Sequence, residues 1–176
     1  MKNKTANPSP LGSLGFGMTT VLFSVVNAGF YSSNAMLLSM AIFLGGIGQI
    51  IAGILEYKRG NTFGFLSYTM FGLYWEVIVG INLLPVFGLS VAAESGFIGV
   101  FFLLWTVFSV MLLIQTFKMD KFTIFIFVTV VLLFGAITLR QLTGLDFFGK
   151  FSGWIGILCG GCAMASGYKA LNNKNS

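Results

Sequence analysis

The sequence predicts an all-α integral membrane protein with six transmembrane helices and both termini in the cytoplasm. The composition indicates the membrane, because 56% of the 176 residues are hydrophobic and only 9% are charged. The mean hydropathy is +0.91. In a soluble domain about 25% of the residues are charged. The surface of this chain is therefore suited to lipid rather than to water.

Six long apolar segments supply the predicted helices, and most approach the ~20 residues that cross a hydrocarbon core of ~30 Å. The expected spans are residues 11–30, 35–55, 63–84, 96–117, 122–139 and 147–171. The last contains two lysines and is expected to extend beyond the hydrocarbon. No linker or low-complexity segment interrupts the spans. We therefore expect a single six-helix transmembrane domain over residues 1–176, with short cytoplasmic tails at about 1–7 and 172–176.

The first span opens with the stretch NPSPLGSLGFGMTT, residues 7–20. Asn7 suits a helix cap and Pro8 suits the first helical position. Such a start would direct the positive end of the helix dipole to the cytoplasmic face, where it favours a small anion. A well-capped helix alone would also explain Asn7. The apolar part is longer than that of a signal peptide and no small-residue cleavage site is evident, so we expect the span to be retained.

The basic residues predict the orientation. One side of the membrane receives Lys2, Lys4, Lys58, Arg59, Lys118, Lys121, Lys169 and Lys174. The other side receives only Arg140 and Lys150. By the positive-inside rule, this bias places both termini in the cytoplasm. The net charge of +5 is therefore mostly a topological signal. Because the cations are scattered among short loops, we expect no nucleic-acid partner.

Residues that would support catalysis or a cofactor are scarce. The chain contains no histidine, so neither a histidine-based triad nor an imidazole metal site can be built from it. Cys159 and Cys162 have the spacing of a redox pair, but they lie in an apolar, glycine-rich segment without a thioredoxin-like setting. Packing of small residues explains them better. We expect no enzyme activity, no metal and no cofactor.

Glycines recur at helical spacing in two spans. They are Gly45, Gly46, Gly48 and Gly53 in the second span and Gly149, Gly153, Gly156 and Gly160 in the sixth. Small residues three or four positions apart let membrane helices approach closely. Tight packing within one chain is the favoured interpretation for most of them. A contact between subunits is the alternative.

Polar residues at membrane depth are candidates for function. They are Thr19, Thr20, Asn27, Gln49, Thr69, Glu76, Asn82 and Gln115. Glu56 lies at the cytoplasmic end of the second span, where an ion pair with Lys58 or Arg59 is at least as good an explanation as a substrate contact. Glu76 lies ~20 Å along its helix. It would either form a structural pair, with Arg140 as a partner, or line a vestibule.

Three motifs resemble the acetate uptake transporters, the succinate–acetate permease family. They are residues 7–20, the stretch GGIGQIIAGILEYKRGNTFG at 45–64 and the stretch FSGWIGILCG at 151–160. The resemblance covers essentially the whole chain. It implies six membrane helices, assembly as a hexamer in membrane lipid, and one pore per protomer for acetate, succinate or another small carboxylate. The candidates along the substrate path are Asn7, Thr20, Asn27, Gln49, Glu56, Asn61, Thr62 and Glu76.

The resemblance also implies a hydrophobic constriction of the pore. By position it consists of Phe16, Phe71 and Val130, of which the last two replace a tyrosine and a leucine of the family pattern. The loss of the phenolic hydroxyl leaves this constriction wholly apolar. The three residues lie eight positions after the expected helix starts at 8, 63 and 122. On three parallel helices they would lie about 12 Å from the cytoplasmic end, so one ring is sterically reasonable.

An apolar ring predicts how the substrate crosses. The carboxylate head would be held in polar vestibules, near Asn7 inside or near Thr20 and Asn27. Because desolvation of an unpaired ion is costly, crossing as the neutral acid is favoured, and the substrate would carry its own proton. Glu76 and Glu56 are the other proton carriers. Gly12, Gly15 and Gly17 would let the first helix approach its neighbours while Phe16 points into the pore.

Two other functions fit the same sequence. A channel for a small neutral solute, such as urea or a short amide, would also use an apolar gate with few charges. A non-transporting sensor or assembly protein could retain the transporter scaffold. Competition between acetate and urea distinguishes the first alternative, and an absence of flux in pure protein would favour the second.

Overall fold

The computed structural model describes residues 6–172, which form a bundle of long helices. The helices are α1 (Ser9–Asn27), α2 (Ala35–Lys58), α3 (Thr62–Val86), α4 (Ser95–Thr116), α5 (Lys121–Thr143) and α6 (Asp146–Asn172). All six are long and apolar enough to cross a membrane, so the predicted spans are confirmed. Residues 1–5 and 173–176 lie outside the described residues, and with them Lys2, Lys4, Lys174 and most of the predicted tails.

Three helix ends differ from the expected spans by three or four residues, and in each case a glycine turns the chain. Helix α2 continues past residue 55 to Lys58, and Gly60 follows with a φ of 74°. Helix α1 ends at Asn27, three residues early, and Gly29 follows with a φ of 89°. Helix α5 continues past residue 139 to Thr143 and ends at Gly144, which has a φ of 71°. A left-handed backbone of this kind closes a helix without the steric cost that a Cβ would bring.

Helices α1 and α6 run antiparallel in close contact. Gly153 lies against Ala28, near the end of α1. A Cβ built on Gly160 would lie 2.6 Å from the carbonyl oxygen of Gly17. One end of the bundle therefore holds the start of α1 and the end of α6; we name it the terminal end, and the opposite end the distal end. The predicted intrachain packing of Gly153 and Gly160 is confirmed.

Helix α2 contains a wider, π-helical stretch, Ala41–Gly48. Its glycines lie against other helices of the same chain: Gly45 contacts Thr19 and Trp75, and Gly46 contacts Glu76. Such stretches are uncommon and often lie near functional sites. Like those of α6, the glycines of α2 serve packing within the chain.

The centre of the bundle is a layer of aromatic side chains from α3, α4 and α5. The ring centroid of Tyr74 lies 5.1 Å from the ring centroid of Trp105 and 5.1 Å from that of Phe134. The rings of Phe71 and Phe134 are stacked, with their centroids 6.2 Å apart. Cys159 is fully buried in the same core, and neither it nor Cys162 forms a disulfide. The packing interpretation of the two cysteines therefore holds.

Candidate functional site: two cavities separated by an aromatic layer

A cavity of about 90 Å³ opens at the terminal end of the bundle. We name it the terminal cavity. One water needs ~10–15 Å³ of such space, so several waters or a small organic acid would fit. Its wall is formed by side chains of five helices: Ser13, Phe16, Gln49, Phe63, Ser67, Tyr68, Phe71, Thr123, Ile126, Phe127, Val130, Ala163 and Ser166.

The three residues of the predicted constriction meet on this wall. The ring centroids of Phe16 and Phe71 lie 5.3 Å apart, and Val130 is 1% exposed. They come from α1, α3 and α5, the helices that run in the same direction. The structure thus brings them together, and their role as a constriction stays a prediction.

Further buried aromatic side chains lie next to these three residues. Beyond Phe71 lie Tyr74, Phe102 and Phe134, which are at most 4% exposed. These three side chains contact one another edge to face or tilted, with centroids 5.1 to 6.3 Å apart. The sequence analysis missed them, although Phe134 follows Val130 by four positions and so lies on the same helix face.

The glycines of α1 have the predicted role. A Cβ built on Gly12 would lie 2.6 Å from the ring of Tyr68, and one built on Gly15 would lie 2.8 Å from the carbonyl oxygen of Leu44. At Gly17 the nearest backbone atom is the carbonyl oxygen of Gly160, at 2.7 Å. Each glycine therefore brings α1 against a different neighbour, namely α3, α2 and α6. The predicted close approach is confirmed.

Gln49 is the one predicted polar candidate that lines the terminal cavity. Its side chain is 0% exposed, and neither its amide nitrogen nor its amide oxygen has a hydrogen-bond partner. Leaving such a group unpaired costs about 1–3 kcal/mol, and on a cavity wall either water or a small ligand can satisfy it. An amide presents both a donor and an acceptor.

Glu56 does not form the ion pair that the sequence suggested. Its carboxylate is 1% exposed. The hydroxyl of Ser9 donates to Oε1 at 2.6 Å, and Nδ2 of Asn61 donates to Oε2 at 2.8 Å. Among the described residues, neither Lys58 nor Arg59 forms a salt bridge with it. Because Ser9 is the first residue of α1, the Glu56 carboxylate lies beside the start of that helix.

Asn7 forms hydrogen bonds with both the start of α1 and the turn after α2. Helix α1 begins at Ser9, one position later than predicted, with Pro8 as the cap residue. The side-chain oxygen of Asn7 still accepts from the backbone N–H of Ser9 at 3.1 Å, and it also accepts from Nη1 of Arg59 at 2.7 Å. The predicted assignment of Asn7 as the cap and Pro8 as the first helical residue is therefore wrong by one position. Asn7 nevertheless accepts one N–H of the first turn and contacts the turn after α2.

Two hydroxyls of the terminal cavity were missed from the sequence. The hydroxyl oxygens of Ser13 and Tyr68 lie 2.9 Å apart, within hydrogen-bond distance, and Tyr68 also donates to the carbonyl of Ser9 at 3.2 Å. Helix periodicity contains the signal that would have found them. Ser13 precedes Phe16 by three positions and Tyr68 precedes Phe71 by three, so each lies one turn nearer the terminal end on the same face.

A second cavity, of about 220 Å³, lies at the distal end. We name it the distal vestibule. Its wall combines apolar side chains with a few polar ones: Phe23, Asn27, Ile78, Ile81, Asn82, Ile98, Phe102, Ile137, Arg140, Gln141 and Ser152. Phe102 belongs both to this wall and to the aromatic layer. The layer therefore separates the vestibule from the terminal cavity.

The predicted partnership of Glu76 and Arg140 is wrong. Arg140 faces Asp146, with Nη2 and Oδ1 3.9 Å apart, the one salt bridge among residues 6–172. Glu76 lies on the other side of α3 against Gly46, and its Oε1 has no partner. Glu76 lines neither the terminal cavity nor the distal vestibule. The axial positions of α3 and α5 made the pairing reasonable, but the rotation of α3 points the carboxyl away.

The remaining candidates are divided between the core and the surface. Thr20 is 1% exposed, and its hydroxyl has no partner. It lies one turn beyond Phe16 on α1. Asn27 reaches the distal vestibule. Asn61 caps α3 by accepting from the N–H of Gly64 at 3.1 Å, and Thr62 is exposed at the start of the same helix.

Comparisons with known proteins place this architecture. The profile of the GPR1/FUN34/yaaH family matches residues 1–176. The succinate-acetate/proton symporter SatP of Escherichia coli (strain K12) is 42% identical over 161 residues, which are 92% of this chain and 86% of that protein. An uncharacterized protein of Methanothermobacter thermautotrophicus is 35% identical over 181 residues, or 99% of this chain and 89% of that protein.

A solved structure shares the fold. It is described as the structure of the bacterial acetate channel SatP. It matches this chain with a TM-score of 0.95 at 40% sequence identity, covering 98% of this chain and 96% of the other. The chain therefore belongs to the GPR1/FUN34/yaaH family of membrane proteins.

Proposed function

We propose that this chain carries acetate and related small carboxylates, succinate among them, across a membrane through a pore within each protomer. The chain is a transporter rather than an enzyme. Relatives named as a succinate-acetate/proton symporter and as an acetate channel support this function. In this proposal the substrate path runs through the two cavities and the aromatic layer between them.

The main structural support for the proposal is the position of the Gln49 amide on the wall of the terminal cavity. A protonated carboxylic acid presents a carbonyl acceptor and a hydroxyl donor side by side, and a primary amide presents the complementary donor and acceptor. The orphan amide of Gln49 lies on the wall of the terminal cavity. A small acid bound there would satisfy both of its polar atoms and place an apolar tail against Phe16 and Phe71.

The aromatic layer dictates the form in which the substrate crosses. An isolated carboxylate loses its hydration at an apolar constriction, and this desolvation costs far more than desolvation of the neutral acid. The substrate therefore crosses the layer with its own proton. Phe16, Phe71 and Val130 form the constriction on the terminal side. An apolar constriction of this kind also opposes water, since it gates by dewetting.

The orientation and assembly are part of the same proposal. Lys58, Arg59, Lys118 and Lys121 lie at the terminal end, and Arg140 at the distal end. By the positive-inside rule the terminal end, with both chain termini, faces the cytoplasm. The chain forms one transporting domain and assembles as a homo-hexamer in membrane lipid, with the exposed apolar side chains of α2 and α4 facing lipid or neighbouring copies.

Uptake into proteoliposomes tests the function. Labelled acetate is offered with and without an inward proton gradient, beside labelled urea. We expect acetate to enter at a rate above that of protein-free liposomes and to accumulate when the gradient is present. Passive equilibration of acetate would indicate a channel rather than a coupled permease. Passage of urea instead of acetate would contradict the proposal, as would an absence of any flux in pure protein.

A further inference from the structure

The distal vestibule contains a charge that the mechanism above does not use. Arg140 is the only charged side chain on its wall. Most of the other wall residues are isoleucine or phenylalanine. A charge in a cleft with low-dielectric walls acts over a longer range than the same charge on an open surface, because the walls focus its field.

The fold holds the Arg140 side chain in place. A Cβ built on Gly149 would lie 2.6 Å from both Cδ and Nε of Arg140, so the stem of the arginine lies directly on the backbone of α6. Any larger residue at position 149 would displace it. Asp146 is its ionic partner, but the 3.9 Å separation involves only one oxygen, and the side chains of Arg140 and Asp146 are 44% and 87% exposed.

The guanidinium therefore keeps donors free for the vestibule. Arginine has five N–H donors, and the contact with Asp146, at 3.9 Å, is longer than a hydrogen bond. Asn27 and Asn82 lie on the same wall. Asn82 uses one amide hydrogen on the carbonyl of Ile78 at 2.7 Å, which leaves its second hydrogen available.

From this arrangement we infer that the distal vestibule is a binding site for the ionised carboxylate of the substrate, with Arg140 as its counter-ion. The inference rests on the proposed function. Carboxyl groups have pKa values near 4, so a small carboxylate in neutral solution reaches the protein as an anion. Arg140 concentrates that anion at the mouth. The anion then takes a proton from hydronium in the water of the vestibule, releasing a water molecule, and the neutral acid loses its remaining hydration at the aromatic layer.

Initial uptake from the distal side at low external acetate, neutral pH and low ionic strength tests the site. Arg140→Gln is expected to lower this rate roughly three- to tenfold, with less than a twofold change at saturating acetate. The loss should be larger for succinate, which carries two charges, and should shrink as salt screens the charge. An unchanged rate at low acetate would overturn the inference.

Three matched variants separate binding from other roles. Lys150→Gln removes a cation from the same side of the membrane but outside the vestibule wall, and it should leave uptake unchanged. Asp146→Asn should raise uptake at low acetate, because it frees Arg140. Gly149→Ala keeps the charge but displaces the side chain, and should lower uptake partway.

The outcomes distinguish this inference from the proposed function. If Lys150→Gln lowers uptake as much as Arg140→Gln, surface charge rather than the vestibule is responsible. If Asp146→Asn and Arg140→Gln lower it equally, the pair is structural. Gly149→Ala still tests the site if Arg140→Gln fails to fold. A wild-type protein without acetate flux would overturn the function itself, whereas normal wild-type flux with an unaltered Arg140→Gln would overturn only the vestibule site.

Discussion

The terminal cavity and the distal vestibule differ in the polar side chains on their walls and in the charge of those side chains. In the terminal cavity, of about 90 Å³, the hydroxyls of Ser13 and Tyr68 bond to each other, and the amide of Gln49 remains unpaired. In the distal vestibule, of about 220 Å³, a single charge, Arg140, lies among isoleucines. The first cavity is narrow and neutral, and the second is wide and positive.

This difference indicates that the two cavities have different roles in transport. A positive vestibule raises the local concentration of an anion but discriminates weakly between acids, since the attraction is long-ranged. A tight neutral cavity discriminates by shape and by hydrogen bonds that only a matching ligand satisfies. Capture therefore belongs to the distal end, and selection to the terminal cavity and the adjoining constriction. Substitutions on the two sides should fail in different ways.

The largest effect is expected for Gln49→Leu. Leucine is similar in size but can bind neither the carbonyl nor the hydroxyl of a carboxylic acid, so acetate uptake at saturating concentration should fall about ten- to hundredfold. Removal of an unpaired buried amide should at the same time leave the protein equally stable or more stable, by about 1 kcal/mol. Uptake and thermal unfolding in detergent would measure the two effects. Normal uptake, or lost uptake in an unfolded protein, would contradict the assignment.

The next effect is expected for Phe16→Ala. Loss of the ring that contacts Phe71 at 5.3 Å should widen the constriction, so larger mono- and dicarboxylates should enter several-fold faster relative to acetate. Competition of these acids with labelled acetate measures the ratio. Leu11→Ala is a suitable control, because Leu11 is an exposed residue of the same helix. An unchanged flux of larger acids would show that Phe16 does not limit size.

A smaller effect is expected for Asp120→Asn, in the turn between α4 and α5. Hydrogen bonds from the side chain of Thr123, and from its backbone and that of Phe122, lower the pKa of the Asp120 carboxyl. Because the pKa of Asp120 is lower in the folded state than in the unfolded state, where it is near 4, the ionised carboxylate stabilises the fold at pH values above about 4. This stabilisation is lost as the pH falls through the pKa of the folded state. The asparagine variant should therefore lose less stability between neutral and acidic pH than the wild type. Thermal unfolding temperatures of both proteins across that pH range measure this difference. Identical pH profiles of the two proteins would contradict the prediction.

The smallest effect is expected for Glu76→Gln. Glu76 lines neither cavity, and the substrate carries its own proton, so uptake should keep its dependence on pH. Initial rates at several external pH values measure this. Complete loss of the dependence at normal protein levels would make Glu76 the proton carrier and move the coupling step away from both cavities.

The resemblance to a known family, rather than the residue pattern, pointed to Phe16, Phe71 and Val130. Counting residues at ~1.5 Å per residue is consistent with it, because it puts the three at a similar depth on helices of the same direction. The same reasoning would have added Ser13, Tyr68 and Phe134, since these lie three or four positions from the predicted residues. They were missed because each single helix is apolar on every side, and hydrophobicity alone does not mark the face that points inward.

The interactions of the carboxyl groups could not be predicted in the same way. For Glu56 the sequence left open an ion pair with Lys58 or Arg59 and a substrate contact, and the structure shows bonds from Ser9 and Asn61. For Glu76 it left open a pair with Arg140 and a place in a vestibule, yet Arg140 faces Asp146 and Glu76 lines neither cavity. Both partnerships depend on how far each helix is rotated about its own axis. That rotation is set by the close contacts of glycines such as Gly46 and Gly149 with side chains of other helices.

The sequence by itself determined the membrane class and the six helices, and residue counting put Phe16, Phe71 and Val130 at a similar depth. Length, hydropathy and residue spacing are properties of single segments, and a bilayer imposes the same thickness on each of them. Only the tertiary structure decided that Gln49 lines a cavity, that Glu56 is bound by Ser9 and Asn61, and that Arg140 lies on the wall of the distal vestibule beside Asp146. These features arise where side chains from different helices meet, and no spacing along the chain encodes the rotation that brings them together.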